Sequence, residues 1–129
     1  MPPSEYFCIW NKMQTVDNFA TAEYAWVSMG LKKPAKMFNY GIHKHNHTDK
    51  IHTTQKPIPL YEFLFKTYSK ENDRILDTHL GSGSIAIALD RVNKMDKMNL
   101  TITACELDNK HFKDSVKWII TETNWQSLF

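Results

Sequence analysis

The sequence predicts an α/β fold whose second half contains parallel strands. Three observations support this prediction. A helical apolar pattern follows Pro57, a short strand leads into a glycine-containing turn and a second helical pattern, and a last strand is followed by a third helix. Helices that alternate with short strands are typical of sheets with parallel strands. The length of 129 residues and the composition, 42% hydrophobic and 23% charged, fit one globular domain.

The first half is predicted to be rich in β-strands. β-Branched and aromatic residues favour strands at Tyr6–Trp10, Glu23–Met29 and Ala35–Tyr40. We therefore divide the predicted domain, residues 1–129, into a β-rich half (1–40), a basic loop (41–56) and an α/β half (57–129). The loop itself is expected to be polar from Gly41 to Thr53.

The elements of the second half follow from apolar spacing and from residues that begin or end helices. Pro57 and Pro59 suit the start of a helix. A turn precedes the strand Arg74–Leu76, a polar loop is expected at Lys94–Asn99, and a strand at Leu100–Cys105. Asp108 can cap the last helix. The apolar faces of the three helices contain Leu60, Tyr61, Leu64, Phe65 and Tyr68; Ile85, Ala86, Ala88, Leu89 and Val92; and Phe112, Val116, Ile119 and Ile120.

Cysteine usage and hydropathy indicate the compartment. Cys8 and Cys105 each lie in an apolar, strand-like run, which favours buried free thiols over a disulfide. No apolar run approaches the roughly 20 residues that a membrane span needs, and the first residues do not resemble a signal peptide. The sequence therefore predicts a cytoplasmic protein that does not contact a membrane.

The net charge of +2 conceals a basic segment. Between Leu31 and Pro57 there are six lysines and one acidic residue, and such a segment suits contact with a polyanion. A solvated lysine-rich loop is the alternative. Four histidines of the same segment could bind a metal ion, but no nearby cysteine or pair of acidic residues completes a ligand set, so a polar loop is favoured. These histidines are His43, His45, His47 and His52.

The turn Asp77–Ser84 is the strongest candidate for a binding site. A strand, a glycine turn and a helix N-terminus direct backbone N–H groups towards a bound group. Gly81 and Gly83 also fit the relaxed dinucleotide pattern G-x-G-x-x-A. The carboxylate of Asp77 would repel a pyrophosphate but attract the ammonium of S-adenosylmethionine. A structural alternative is that Asp77 only caps the turn.

Glu106 completes this candidate site. It follows Gly83 by 23 residues and comes at the end of the next predicted strand. A carboxylate there can accept hydrogen bonds from two ribose hydroxyls. Dinucleotides and S-adenosylmethionine both contain a ribose, so Glu106 alone does not distinguish them. Dinucleotide-binding domains usually begin with their glycines, whereas here the glycines start at residue 81, which favours S-adenosylmethionine.

Three segments together resemble the C-terminal half of a DNA amino-methyltransferase. They are His52-Thr53-Thr54-Gln55-Lys56-Pro57, Ile75–Ser84 and Cys105-Glu106-Leu107-Asp108. The resemblance is to the class that methylates adenine N6 or cytosine N4 and has its catalytic motif upstream of its cofactor motifs. Ile9–Lys12 and Glu23–Trp26 resemble segments of phage-type, adenine-specific members. The resemblance implies a Rossmann-like, S-adenosylmethionine-dependent methyltransferase fold, DNA as partner and a place in restriction-modification.

The resemblance also assigns roles to individual residues. Asp77, Thr78, Leu80, Gly81 and Gly83 would surround the methionine part of S-adenosylmethionine, and Glu106 would hold the ribose. Thr54, Gln55 and Lys56 would reach the methionine carboxylate. The basic segment includes the region of a short target-recognition insert, with Lys44, Lys50 and Lys56 as candidate DNA contacts.

The catalytic tetrad of that class is absent from these residues. The class uses Asp, Asn or Ser followed by Pro-Pro and an aromatic residue, whereas the only Pro-Pro here, Pro2-Pro3, lies between Met1 and Ser4. We therefore assign no catalytic residue and expect an incomplete sheet that lacks the central catalytic strand. The chain is predicted to be inactive alone and to bind S-adenosylmethionine weakly or not at all.

Three interpretations remain open at this point. The chain could be a truncated adenine-specific methyltransferase, or one subunit of a split enzyme whose partner supplies the catalytic motif. It could also be a module that binds cofactor or nucleic acid without turnover. An incomplete sheet leaves strand edges open, which favours pairing with a second chain or with another copy of this one.

Overall fold

The computed structural model describes residues 6–46, 50–51 and 55–125. The chain divides into two compact units, Met1–Asp49 and Lys50–Phe129. The boundary between the units lies within the basic loop that the sequence places at residues 41–56. Each unit has a small sheet of its own.

The first unit contains a three-stranded sheet. Its strands are β1 (Phe7–Asn11), β2 (Ala22–Trp26) and β3 (Lys36–Asn39), in the order β2-β1-β3. β1 pairs antiparallel with β2 and parallel with β3. A 3₁₀ turn, Met29–Leu31, includes Met29, which we had expected to end the second strand. The three expected strands are therefore present, and the second is shorter than its apolar pattern indicated.

A short helix, α1 (Ile42–Asn46), replaces part of the loop that the sequence predicted. Trp10 of β1 is buried and donates its indole N–H to the carbonyl of Tyr40, at 2.8 Å. The buried ring of His45 meets Trp10 edge to face, with ring centroids 6.1 Å apart. The prediction of a polar loop was wrong here, because packing against Trp10 compensates for the weak helix propensity of this histidine-rich stretch.

The second unit alternates helices and strands as the sequence predicted. Its elements are α2 (Ile58–Tyr68), β4 (Arg74–Asp77), α3 (Ser84–Asp96), β5 (Thr101–Ala104) and α4 (Asn109–Thr123). β4 and β5 are parallel, with Ile75 opposite Ile102. Pro57 is the N-cap residue of α2. α3 continues through Lys94 to Asp96, which we had assigned to a loop.

The core of this unit is built around α3. Its residues from Ile85 to Leu89 are buried, together with Val92, and Phe65 of α2 and Ile119 of α4 pack into the same cluster. Ile75 and Ile102 cover the cluster from the sheet. One face of the two-stranded sheet therefore lies against helices. Because β4 and β5 are parallel, the carboxyl ends of both strands lie at the same edge of this core.

The other face of this sheet is exposed. Leu76 of β4 has 69% of its surface accessible, and Thr101 and Thr103 of β5 are exposed beside it. Among the described strands, β5 is the only partner of β4. Parallel sheets in complete domains are covered on both faces and continue on both sides of their central strands. The fold is therefore an α/β fold with an incomplete Rossmann-like sheet, as expected.

The two cysteines are both free but differ in exposure. Cys8 is buried, whereas Cys105 is exposed. The prediction of a buried thiol was wrong for Cys105, because this residue follows the last residue of β5 and shares the uncovered face of the sheet. Within the described ranges, no helix is long and apolar enough to cross a bilayer.

Candidate functional site

The glycine turn joins the end of β4 to the start of α3. Gly81 and Gly83 both have positive φ angles, +57° and +87°, which side chains other than glycine rarely adopt. Gly83 is the N-cap residue of α3 and donates its N–H to the carbonyl of Leu80, at 3.0 Å. A Cβ atom on Gly83 would lie 2.7 Å from Cδ1 of Ile119. Glycine is therefore required at position 83 by both backbone angle and space.

Glu106 follows β5 and forms a hydrogen bond with the glycine turn. One carboxylate oxygen accepts the N–H of Gly81 at 2.9 Å, and the other accepts the N–H of Asp108 at 3.0 Å. The N–H groups of Asp108 and Gly81 hold the pKa of the Glu106 carboxyl below its ordinary value, and His111 adds to this effect. Glu106 is therefore a carboxylate near neutral pH.

The first turn of α4 completes the wall next to Glu106. Asp108 is the N-cap residue and accepts the N–H of His111 at 2.8 Å, as the sequence predicted. This bond is the main cause that lowers the pKa of the Asp108 carboxyl. Nδ1 of His111 lies 3.8 Å from the same carboxylate oxygen. Two carboxylates are thus held at the helix N-terminus, where the helix dipole favours negative charge.

A cavity of about 300 Å³ lies at this end of the strands. Its volume is at the lower end of the range of small-molecule sites. It is lined by one carboxylate, one ammonium, two imidazoles, an amide and two hydroxyls, so it can form hydrogen bonds with a polar ligand of either charge. The lining residues are Gln55, Lys56, Tyr61, His79, Leu80, Gly81, Ser82, Glu106 and His111.

Five residues that the sequence assigned to the cofactor line this cavity. Leu80, Gly81 and Glu106 come from the ends of the two strands, and Gln55 and Lys56 come from the segment before α2. Gln55 is buried, and its side-chain oxygen accepts the N–H of Ile51 at 3.1 Å. The structure therefore brings together sequence segments that lie far apart along the chain.

The other assigned residues are placed differently. Asp77 and Thr78 are not among the lining residues; the carboxylate of Asp77 accepts the N–H of His79 at 2.9 Å, which is the turn-capping bond that we had considered as an alternative. Gly83 lies behind the turn against Ile119. Thr54 lies outside the described residues.

Four lining residues were not identified from the sequence. His79 and Ser82 lie inside the glycine turn and were passed over in favour of its glycines. Tyr61 was assigned only to the apolar face of α2, and its side chain is half-buried. His111 is one turn into the helix that Asp108 caps. The short sequence distance from Glu106 to His111 was the available signal. A helix that Asp108 caps begins close to the end of β5, so its first turn lies near Glu106.

The candidate DNA-contacting lysines fall in both units. Lys44 is exposed on α1, with its ammonium 5.4 Å from the centroid of the Tyr40 ring. Lys50 is exposed at the beginning of the second unit, and Lys56 lines the cavity. Of the four histidines of the basic segment, His47 and His52 lie outside the described residues. No group of three or more potential metal ligands occurs in the described part of the chain.

The sequence matches a known methyltransferase over a limited region. It is 34% identical over 62 residues to the Type II methyltransferase M.HpaI of Haemophilus parainfluenzae. This match covers 47% of the present chain and 20% of M.HpaI. The chain thus corresponds to a minor part of that relative.

Solved structures resemble the fold over most of the chain. The M1.HpyAVI–SAM complex matches with a TM-score of 0.61 and 19% identity, covering 87% of this chain and 60% of that one. TTHA0409 of Thermus thermophilus, complexed with S-adenosyl-L-methionine, matches with a TM-score of 0.56 and 14% identity, covering 91% of this chain and 53% of that one. The cofactor predicted from the sequence is thus bound by proteins of the same fold.

The match that decides the family extends through both units. The sequence profile of the N6/N4 methyltransferase family, described as DNA methylase, matches residues 6–126. This range includes the glycine turn, Glu106 and the segment that contains Gln55 and Lys56. The chain belongs to the N6/N4 family of DNA methylases.

Proposed function

We propose that the cavity beside the glycine turn binds S-adenosylmethionine and that the chain serves adenine-specific DNA methylation by holding the methyl donor. The observation that carries this proposal is the position of Glu106 next to Gly81, at the carboxyl ends of two parallel strands. Ligands of open α/β sheets bind at that end of the strands. The solved relatives named above, with S-adenosylmethionine bound, support the same choice.

Each side chain of the proposed site has a distinct task. The carboxylate of Glu106 has lone pairs beyond the two backbone bonds that it accepts, and these suit ribose hydroxyls. Lys56 and Gln55 are suited to the methionine carboxylate, with Thr54 beside them in sequence. Asp77 would face the ammonium; its bond to His79 uses one oxygen and leaves the carboxylate charge in place. Leu80 would complete the wall, whereas Thr78 and Gly83, which do not line the cavity, would shape the turn behind it.

The proposed role stops short of methyl transfer. When bound, S-adenosylmethionine supplies a sulfonium methyl group that a base nitrogen can take up directly. The 129 residues contain no Asp/Asn/Ser-Pro-Pro-aromatic tetrad to hold the base. The residues that hold the base must therefore come from outside them. We expect these residues alone to transfer no methyl group.

A second candidate function is that of one part of a split methyltransferase. The single partner of β4 among the described strands and the exposed side chain of Leu76 favour this alternative. A strand added next to β4 would end beside the glycine turn, where a methyl acceptor is needed. A module that binds DNA or cofactor without turnover would instead need no such strand.

A binding titration tests the cofactor site. We expect S-adenosylmethionine to perturb the NMR signals of Gly81 and Glu106 saturably, with a dissociation constant weaker than micromolar because the sheet is incomplete. Glu106→Ala should abolish saturation. Asp114→Ala removes a carboxylate of α4 that pairs with Lys110, so it is the matched control and should bind like the parent chain. Micromolar binding by the parent would contradict the expected weak affinity. Saturable binding by Glu106→Ala would contradict the assignment of the cavity as the cofactor site.

Labelled methyl transfer tests the limit of the proposed role. We expect no label in DNA when the isolated chain is incubated with S-adenosylmethionine. A separately produced polypeptide with an Asp-Pro-Pro-Tyr-type motif, taken from the reading frame next to this one, should restore transfer to adenine if the split alternative holds. Label incorporated by the isolated chain would refute the proposal of inactivity, and label on cytosine would refute adenine specificity.

A further inference from the structure

The two backbone polar groups of Gly81, which belong to two successive peptide units, are each held by a side chain. Its N–H is donated to Glu106, and its carbonyl accepts the hydroxyl of Ser115, which lies on α4. The same hydroxyl is within 2.6 Å of the carbonyl of His111. The one hydroxyl proton of Ser115 is thus shared between the glycine turn and its own helix.

Ser115 connects α4 to the glycine turn by a buried hydrogen bond. Only 1% of its surface is accessible, so water does not compete for the hydroxyl. Its Cβ would also lie 3.6 Å from a Cβ built on Gly83, and Ile119, one turn further along α4, contacts the same point. α4 therefore supports both glycines of the turn, Gly81 by a hydrogen bond and Gly83 by packing.

We propose that Ser115 is a positioning residue: by holding the carbonyl of Gly81 it restrains the backbone angles of this residue and thereby keeps the N–H of Gly81 directed towards Glu106 and the cavity. Gly81 has no side chain and adopts a positive φ, so few other restraints define its orientation. With the carbonyl released, the peptide unit after Gly81 can rotate and the backbone angles of Gly81 are no longer restrained, so the hydrogen bond from its N–H to Glu106 weakens. The function of Ser115 in cofactor binding rests on the cavity being the S-adenosylmethionine site, whereas its hold on the turn does not.

Two substitutions on α4 test this proposal. Ser115→Ala removes the hydroxyl at the turn. Thr123→Ala removes a second buried hydroxyl of the same helix. This hydroxyl donates to the carbonyl of Ile119, with a distance of 2.6 Å between the two oxygens, and does not contact the turn. Each change removes a buried hydroxyl that has two hydrogen-bond partners, since Thr123 also accepts the N–H of Trp125 at 3.3 Å, so both should lower stability to a similar extent. Ser115→Cys retains a side chain of similar size with a weaker donor and should lie between Ser115→Ala and the parent chain.

The readouts separate positioning from overall stability. We expect Ser115→Ala to speed amide hydrogen exchange at Gly81 and Gly83 about fivefold and to weaken S-adenosylmethionine binding about fivefold, the change that one net hydrogen bond produces. Thr123→Ala should leave both within about twofold of the parent. Equal effects of the two substitutions would assign Ser115 a merely structural role, and unchanged exchange in Ser115→Ala would overturn the proposal.

The exchange measurement also keeps this proposal apart from the proposed function. It is made without cofactor, so faster exchange at Gly81 in Ser115→Ala alone supports the positioning role even if the parent chain binds no S-adenosylmethionine. Absence of binding in the parent would refute the cofactor site. Normal exchange together with normal binding in Ser115→Ala would refute only the role of Ser115.

Discussion

Gly83 packs against α4 with no room for a side chain. A methyl group there would need a left-handed backbone angle of +87° and would contact Ile119 at 2.7 Å. We expect Gly83→Ala to lower the free energy of unfolding by about 2–4 kcal/mol, because backbone strain and overpacking add. Chemical denaturation of the parent and variant measures this difference.

Gly81→Ala is the matched control for the prediction at Gly83. Gly81 also has a positive φ, +57°, but a Cβ there would have no neighbour closer than 3.8 Å. Its cost should be about 1–2 kcal/mol, the backbone strain alone. In the double variant Gly83→Ala/Ile119→Ala, the cost should be smaller than the sum of the single changes. Strict additivity would show that Ile119 does not oppose the added methyl group.

Glu106 makes the stability of the site depend on pH. Its pKa is lowered in the folded chain, so its stabilising contribution is fully present above the unfolded value, about 4.3. The contribution is lost as the pH falls through the lowered folded pKa. We expect the thermal unfolding midpoints of the parent and Glu106→Gln to differ most near pH 7 and to converge as the pH falls through the lowered folded pKa of Glu106. A difference that stays constant across this range would contradict the prediction.

At the scale of elements, α4 depends on its N-cap. The side chain of Asp108 accepts the N–H of His111 and so satisfies one of the free N–H groups at the helix start. Asp108→Ala should lower the free energy of unfolding, whereas Asp108→Asn, which also caps helices well, should lower it less. Denaturation at neutral pH gives both values. Equal losses in the two variants would mean that the carboxylate charge stabilises α4 rather than the cap bond.

The elements were most predictable where local signals agreed. Pro57, the glycines of the turn and Asp108 are strong markers of helix ends, and the helices of the second unit begin where they indicate. α1 was missed because its stability comes from a tertiary contact between His45 and Trp10, which sequence spacing does not reveal. The exposure of Cys105 was missed because an apolar strand pattern does not show that one sheet face lacks a covering layer.

The site was predictable in its backbone and less so in its side chains. The glycine turn and Glu106 are fixed by strand order, since parallel strands bring their carboxyl ends to one edge. Ser115, by contrast, lies within an apolar helical face and would be passed over as a small core residue. Its hydroxyl gains a role only when α4 packs on the turn. The assignments of residues to the cofactor, from Thr54 to Glu106, all stay predictions.

At the scale of the whole molecule, both sheets expose apolar side chains. In the first unit Tyr24 and Met37 lie on either side of Ile9 and are 74% and 56% exposed. In the second unit Leu76 is exposed on the uncovered face of β4. The solved relatives are matched over 60% of their length or less, so much of those chains has no counterpart here. A covering layer from outside these 129 residues would account for both surfaces.

The distribution of charge gives the last prediction. The basic segment contains Lys44, Lys50 and Lys56, and each lysine that neutralises a phosphate releases a counterion from DNA. Replacing all three by alanine should weaken binding to duplex DNA and flatten the plot of log affinity against log salt concentration. The slope should fall by about one unit for each phosphate that is no longer neutralised.

The control for this series replaces three lysines of the second unit that pair with carboxylates. Lys66, Lys94 and Lys110 lie near Asp96, Asp90 and Asp114, respectively. Replacing these three by alanine changes the net charge by the same amount, so a general effect of charge would reduce the salt dependence in both triple variants equally. A selective loss in the Lys44, Lys50 and Lys56 variant would assign the DNA contact to the basic segment. An unchanged slope in that variant would support the alternative that these lysines are solvated and do not contact DNA, because a lysine that touches no phosphate releases no counterion.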